Sequence, residues 1–231
     1  MKTNLYYISI IPLILSLVFF YNYIYAQDKI DVIESLNFNY KEGYYLKYES
    51  KLTKFDDFNF PKKINIKNSE YAFFDNKEGE LKIILTEKSK KDTVNYTTYL
   101  KINDKGMFWW INDELSKQND KHKTHAISLP LFKGKTWNTH LNDIKVNVQC
   151  ITLDTVINTS IGEFNTYGVQ YSMIHKNKKT HTVYQKSSEY YQNSIGKIYY
   201  TNTVFVKNKK TDQVYRLSED ISKITSYGFV K

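Results

Sequence analysis

Side chains that could do chemistry are spread thinly along this sequence, and the nearest approach to a metal motif is a pair of histidines. His122 and His125 are three positions apart, a spacing that lets two imidazoles reach one ion on a helix. Asp113, Glu114 or His140 could complete such a site. The segment is also rich in lysine, and nearby ammonium groups oppose a bound cation. We therefore expect no metal ion and no cofactor.

The sequence gives equally little support for acid–base or nucleophilic catalysis. His175 and His181 flank a lysine-rich turn, a context typical of solvated hairpin residues, and the carboxylates of Asp56–Asp57 and Glu219–Asp220 are predicted to lie in solvated turns. The only cysteine, Cys150, belongs to an alternating apolar run, which predicts a buried thiol. The sequence contains no Gly-x-Ser-x-Gly elbow, phosphate loop or dinucleotide fingerprint. Carboxylates far apart in sequence could still meet in the fold, as they do in glycosidases.

After its N-terminal segment, the chain is most apolar at Met107–Ile111. Successive side chains of a strand point to opposite faces, so Phe108 and Trp110 would share one face and Trp109 would lie on the other. One face can belong to the core, and an uncovered face would bind a lipid, a sugar ring or a partner protein. Both faces could instead be buried between layers. These three aromatic residues and Trp137 are the candidate ligand-binding residues.

Residues 1–26 have the layout of a secretory signal peptide. Lys2 is their only charged residue, an apolar run covers 5–20, and the small Ala26 marks a cleavage position. The alternative is an uncleaved anchor, although the apolar run is short for a spanning helix of about 20 residues. We expect residues 27–231 to be exported to the periplasm or secreted. They contain no segment apolar and long enough to span a membrane as a helix.

Strand signals are dense after the signal segment, whereas helical periodicity is poor. Short runs of Tyr, Phe, Val, Ile and Thr alternate with Asn, Asp, Lys and Gly. This pattern predicts an all-β fold, an antiparallel meander of roughly 10–12 strands forming a sandwich, barrel or half-barrel. We expect a single domain that could contain two similar halves, about 36–112 and 124–231. The predicted strands are 70–75, 80–87, 92–102, 107–112, 144–157, 163–174, 181–192, 197–206, 213–218 and 223–230.

The net charge of +9 does not by itself indicate nucleic-acid binding. Arg216 is the sole arginine among the 33 basic residues, and recognition of phosphates and bases favours the planar fork of arginine. We expect no nucleic-acid partner. The expected partners are a lipid, a glycan or an envelope protein, and peripheral contact with a membrane stays open.

Three turn-and-strand motifs follow one another in the second half of the chain, at Leu129–Trp137, Ile161–Phe164 and Tyr190–Ile198. Their order and spacing resemble the uncharacterised exported β proteins of Bacteroidota, which carry PL-x-x-G-x-x-W, G-x-F and Y-Y-x-x-x-x-G-x-[VI] motifs. The resemblance covers about 129–200 and a turn at Gly43, after which this chain has leucine where the family usually has tryptophan. It implies a fold and supplies no catalytic residues.

The turns at Gly43 and Gly134 also resemble each other. Each glycine is predicted to adopt positive φ, and the large residue three positions later, Leu46 or Trp137, is predicted to start the next strand facing inward.

Two functions remain open at this point. One is a non-catalytic exported protein that binds an apolar or amphipathic ligand, or a partner surface, in a concave sheet. The other is an exported hydrolase that acts on glycan or lipid with dispersed acidic residues. An aromatic-lined concavity without convergent carboxylates would favour the first, and a buried pair of carboxylates in a cleft would favour the second.

Overall fold

The chain folds almost entirely into β-strands. The computed structural model describes residues 32–56, 59–75, 79–90, 92–111, 123–141 and 143–230. The predicted signal peptide and the polar stretch 112–122 lie outside these ranges. None of the described segments forms a helix long and apolar enough to cross a membrane. The strands are β1 (Val32–Ile33), β2 (Tyr44–Phe55), β3 (Pro61–Asp75), β4 (Leu81–Lys88), β5 (Thr93–Asn103), β6 (Gly106–Trp110), β7 (Thr124–Ser128), β8 (Leu131–Phe132), β9 (Thr136–Leu141), β10 (Ile144–Thr159), β11 (Gly162–Asn177), β12 (His181–Gln192), β13 (Gly196–Asn208) and β14 (Val214–Phe229).

Twelve of these strands form one antiparallel sheet that is nearly closed and barrel-like. Its order is β7-β6-β5-β4-β3-β2-β14-β13-β12-β11-β10-β9, so two meanders join where β2 pairs with β14. The short strands β1 and β8 pair separately. The all-β, antiparallel prediction of roughly 10–12 strands is confirmed. Strands from both predicted halves pair within this sheet, and the division into similar halves stays a prediction.

The two end strands of the sheet, β7 and β9, meet through side-chain hydrogen bonds. The hydroxyl of Thr124 donates to the carbonyl of His140 at 2.8 Å, and the amide of His125 donates to Thr139 Oγ1 at 2.7 Å. Trp137 Nε1 donates to the His125 carbonyl at 2.9 Å. These bonds form a seam along which the sheet is nearly closed.

One end of the interior is filled by aromatic side chains that precede and begin β2. Phe38 stacks on Tyr191 with ring centroids 5.8 Å apart, and Tyr40 stacks on Phe73 at 4.6 Å. Gly196 has a φ of +107°, and a Cβ there would lie 1.8 Å from the Tyr40 hydroxyl oxygen. Only glycine therefore fits where the β12–β13 hairpin crosses Tyr40.

Two local predictions, on glycine conformation and on the single cysteine, are confirmed. Gly43 and Gly134 adopt φ of +77° and +88°, as predicted. Cys150 is fully buried, and burial raises the pKa of its thiol to about 11.

The prediction that 213–218 and 223–230 are separate strands is wrong, because β14 runs unbroken from Val214 to Phe229. The charged doublet Glu219–Asp220 looked like a turn but lies within the strand. The two side chains find partners on opposite faces of the sheet: Glu219 accepts from Arg216, and Asp220 lies near Lys67.

Candidate functional site

An apolar cavity of about 450 Å³ lies inside the sheet, here called the apolar chamber. Strands β2–β6 supply most of its wall, because every second side chain of these strands points into the interior. Tyr96 and Ile111 are exposed to solvent at its rim, so the chamber is open there. Its lining residues are Tyr40, Leu46, Tyr48, Tyr71, Phe73, Ile83, Leu85, Glu87, Tyr96, Thr97, Thr98, Leu100, Met107, Trp109, Ile111, Glu189, Tyr191 and Lys197.

A second cavity of about 300 Å³, here called the polar chamber, adjoins the first. The two chambers share five wall residues, so apolar and polar space meet at a common boundary. Those shared residues are Tyr48, Tyr71, Glu87, Glu189 and Lys197. The polar chamber is further lined by Ser50, Lys67, Ser69, Tyr200, Asp220 and Ser222.

A buried ion pair stands on the boundary. Lys197 Nζ donates to Glu189 Oε1 at 3.1 Å, and the side chains are 21% and 15% exposed. The Lys197 ammonium also lies 5.4 Å from the ring centroid of Tyr71 and 5.5 Å from that of Tyr200, both within cation–π range. Glu189 Oε2 accepts from Tyr171 at 3.0 Å.

The environment keeps both members of this pair charged. Burial alone would raise the pKa of Glu189, but the charge of Lys197 and hydrogen bonds from Tyr191, Lys197 and Tyr171 lower it below its ordinary value. Burial would lower the pKa of Lys197, and the Glu189 charge outweighs that effect and raises it. A general acid needs a carboxyl that is protonated near neutral pH, and Glu189 does not meet that requirement.

A second group of charged side chains lines the polar chamber. Lys67 Nζ donates to Glu87 Oε1 at 2.8 Å and lies 3.9 Å from Asp220 Oδ2. Burial, with a smaller contribution from Glu87, raises the pKa of Asp220, and Lys67 opposes the rise. Among the described residues no donor reaches the buried Oδ1 of Asp220. Asp220 lines the polar chamber, and its buried oxygen lacks a hydrogen-bond partner among the described residues.

The four aromatic candidates from the sequence do not lie together. Trp109 lines the apolar chamber, on the face predicted for it. Phe108 is on the opposite face and stacks on His125 with centroids 4.2 Å apart. Trp110 shares that face, is buried and stacks on Tyr99 at 5.9 Å. Trp137 lies at the seam.

The candidate metal and acid–base residues are also dispersed. His122, Asp113 and Glu114 lie outside the described residues. His125 stacks on a phenylalanine, and burial lowers its pKa despite hydrogen bonds to backbone groups. The described ranges contain no cluster of three His, Cys, Asp or Glu side chains able to hold a metal.

The two histidines predicted to flank a lysine-rich turn have other hydrogen-bond partners. His175 Nε2 donates to Gln185 Oε1 at 2.5 Å, and His181 Nδ1 is 3.0 Å from the hydroxyl of Thr180.

Sequence reasoning missed the residues at the centre of the cavity, Glu189 and Lys197. A signal was available: both sit in the predicted hairpin around Gly196, and both are charged residues within strands rich in tyrosine. The interpretation of Asp220 as a solvated turn residue is wrong, because its side chain is only 17% exposed and lines the polar chamber.

Comparisons with known proteins return little for this chain. No family model matches it, and no curated protein matches it. Among solved structures, it is similar to a Bacteroides fragilis protein described as a proposed exported protein with a YmcC-like fold. That match has 14% sequence identity and a TM-score of 0.49, and it covers 84% of this chain and 99% of the other.

Proposed function

We propose that this protein is an exported, non-catalytic binding protein that takes an amphipathic ligand into the interior of its barrel-like sheet. The observation that carries the proposal is the pair of adjoining chambers, one apolar and one polar, with a shared wall. A volume of about 450 Å³ falls within the range of ~300–1,000 Å³ common for small-molecule sites. The signal peptide predicted at 1–26 supplies the export.

The division of the cavity suggests how the ligand would lie. An apolar tail placed among Leu85, Leu100 and Trp109 would remove apolar surface from water on both partners. The polar end would then reach Lys197 and the polar chamber. A wholly apolar ligand would leave the polar groups of that chamber without ligand partners.

The alternative, an exported hydrolase acting on glycan or lipid, has one observation in its favour: three carboxylates line the polar chamber. A glycosidase needs one carboxyl as acid and a second as base or nucleophile. Here Glu189 is held ionised by Lys197, and Glu87 and Asp220 share Lys67. A hydrolase would therefore have to use Asp220, whose pKa burial raises, as its acid. The close pairing of both glutamates with lysine favours binding over hydrolysis.

The proposal is tested by titrating the protein with the neutral apolar fluorophore N-phenylnaphthylamine, whose emission rises in an apolar site. We expect saturable binding to the wild type. The variant Leu85→Trp places a large side chain in the apolar chamber and should weaken binding by about tenfold or more, a loss of ~1.4 kcal/mol.

Ile84→Trp is the matched control, because residue 84 neighbours residue 85 on β4 and points to the opposite face. This control should bind like the wild type. Circular dichroism would verify that both variants keep the β spectrum. Absence of saturable binding to the wild type, or equal binding to both variants, would overturn the proposal.

A further inference from the structure

The charges of the polar chamber already have partners within the protein. Lys197 is paired with Glu189, and Lys67 with Glu87. Both pairs are partly shielded from water, so a charged ligand group would have to compete with an ion pair that is partly desolvated. Separating such a pair leaves a buried charge uncompensated, which is costly.

The polar chamber has three carboxylates and two lysines. Asp220 is the carboxylate that is left without a close lysine partner. Its Oδ2 lies at 3.9 Å from Lys67 Nζ, beyond ordinary hydrogen-bond length. Its Oδ1 is buried, and no donor among the described residues reaches it. A carboxylate without a hydrogen-bond donor in a largely buried site is unfavourable. The Asp220 side chain is 17% exposed and lines the chamber, so a ligand hydroxyl in the chamber would supply a donor to this carboxylate.

Hydroxyl groups make up much of the remaining wall. Ser50 Oγ and Ser222 Oγ are 2.6 Å apart, and Ser69 and Tyr200 also line the chamber. Hydroxyls both donate and accept, so they match a ligand whose own groups do the same.

We infer that the ligand is an amphiphile whose head group is uncharged and rich in hydroxyls, as in a sugar or polyol, and that one of these hydroxyls donates to the Asp220 carboxylate. This inference rests on the proposed function. An anionic head would meet the excess carboxylate of Asp220. A quaternary ammonium head would bring no hydrogen-bond donor to the Asp220 carboxylate and would approach the Lys67 and Lys197 ammonium groups.

Three amphiphiles with the same tail separate these possibilities: decyl glucoside, decyl sulfate and decyltrimethylammonium. Each would compete with bound N-phenylnaphthylamine below its micelle-forming concentration. We expect decyl glucoside to bind about tenfold or more tightly than either charged probe, a difference of ~1.4 kcal/mol. Asp220→Asn should reduce the difference in affinity between decyl glucoside and decyl sulfate, because it removes the negative charge that repels the sulfate.

Glu219→Gln makes the equivalent change one residue earlier on β14, on the opposite face, and should leave the order of the three probes unchanged. Equal or tighter binding of either charged probe by the wild type would overturn the head-group inference and leave the binding function intact. The head-group inference would also be overturned if none of the three amphiphiles displaced the fluorophore. Failure of the fluorophore itself to bind would contradict the proposed function instead.

Discussion

Lys197 Nζ lies 3.1 Å from Glu189 Oε1 at the point where the apolar and polar chambers meet. The two residues belong to neighbouring strands, β12 and β13, which the Gly196 turn joins. A buried ion pair contributes little net stability compared with well-packed apolar residues. Its presence in a cavity wall is better explained by what the cavity holds than by folding.

The first prediction concerns this pair. Lys197→Met should lower the free energy of unfolding by about 3–5 kcal/mol, because it leaves the Glu189 carboxylate buried without its cation. Adding Glu189→Leu should recover much of that loss, because it removes the orphaned charge. Urea unfolding followed by circular dichroism measures both. If the losses of unfolding free energy measured for Lys197→Met and for Glu189→Leu alone simply add in the double variant, the pairing is contradicted.

The second prediction concerns pH. The raised pKa of Asp220 means that the folded state binds this proton more tightly than the unfolded state does. The stability gained from that proton is complete below the unfolded pKa of about 3.9 and is lost as the pH rises through the folded value. Asp220→Asn should therefore be more stable than the wild type near neutral pH, and the advantage should shrink in acid.

Urea midpoints of wild type and variant, measured from neutral pH down to about pH 4, test this. Glu219→Gln again serves as the control and should stay within about 0.5 kcal/mol of the wild type. An Asp220→Asn protein that is less stable than the wild type at neutral pH would show that the carboxylate has a favourable partner in the folded protein.

The third prediction separates two constraints on Gly196. Both Gly196 and Gly134 have positive φ, but only at Gly196 would a Cβ meet another side chain, that of Tyr40. Gly134→Ala should cost about 1–3 kcal/mol from backbone strain alone. Gly196→Ala should cost about 1–3 kcal/mol more from overpacking. Equal losses in thermal or urea unfolding would remove the steric role of Tyr40.

The fourth prediction concerns the seam between β7 and β9. Thr139→Val removes the acceptor of the His125 amide, whose hydrogen bond is 2.7 Å long, and should cost about 1–3 kcal/mol. The His125 amide should also exchange its hydrogen faster with solvent. Thr136→Val, at an exposed position of the same strand, should change neither quantity much. Unchanged exchange at His125 in the Thr139 variant would contradict the proposed role of this bond.

Much of the fold followed from the sequence because strand alternation and glycine turns are local signals. The hairpins around Gly162 and Gly196 were predicted close to their observed bounds. Two errors share one cause: the N-terminal half of β3 and the middle of β14 carry polar residues that resemble turns. Lys67 and Asp220 can face the interior because the sheet encloses a polar chamber.

The candidate site was harder to predict because it depends on which strands become neighbours. The strand face on which Trp109 lies was predicted correctly, because its side chain alternates with those of Phe108 and Trp110. Nothing in the sequence indicated that β3 and β14 would bring Lys67 and Asp220 together across the intervening β2. Contacts of that kind come from the order of strands in the sheet, which is a tertiary property.

Native mass spectrometry of the protein purified from its own host tests the central claim most directly. We expect the wild type and Ile84→Trp to carry an additional mass that is released on denaturation and identified as an amphiphile. Leu85→Trp, with its apolar chamber filled, should carry little or none. The mass of the polypeptide alone in all three proteins, or equal loading of Leu85→Trp, would contradict the proposal that the interior of the sheet binds a ligand.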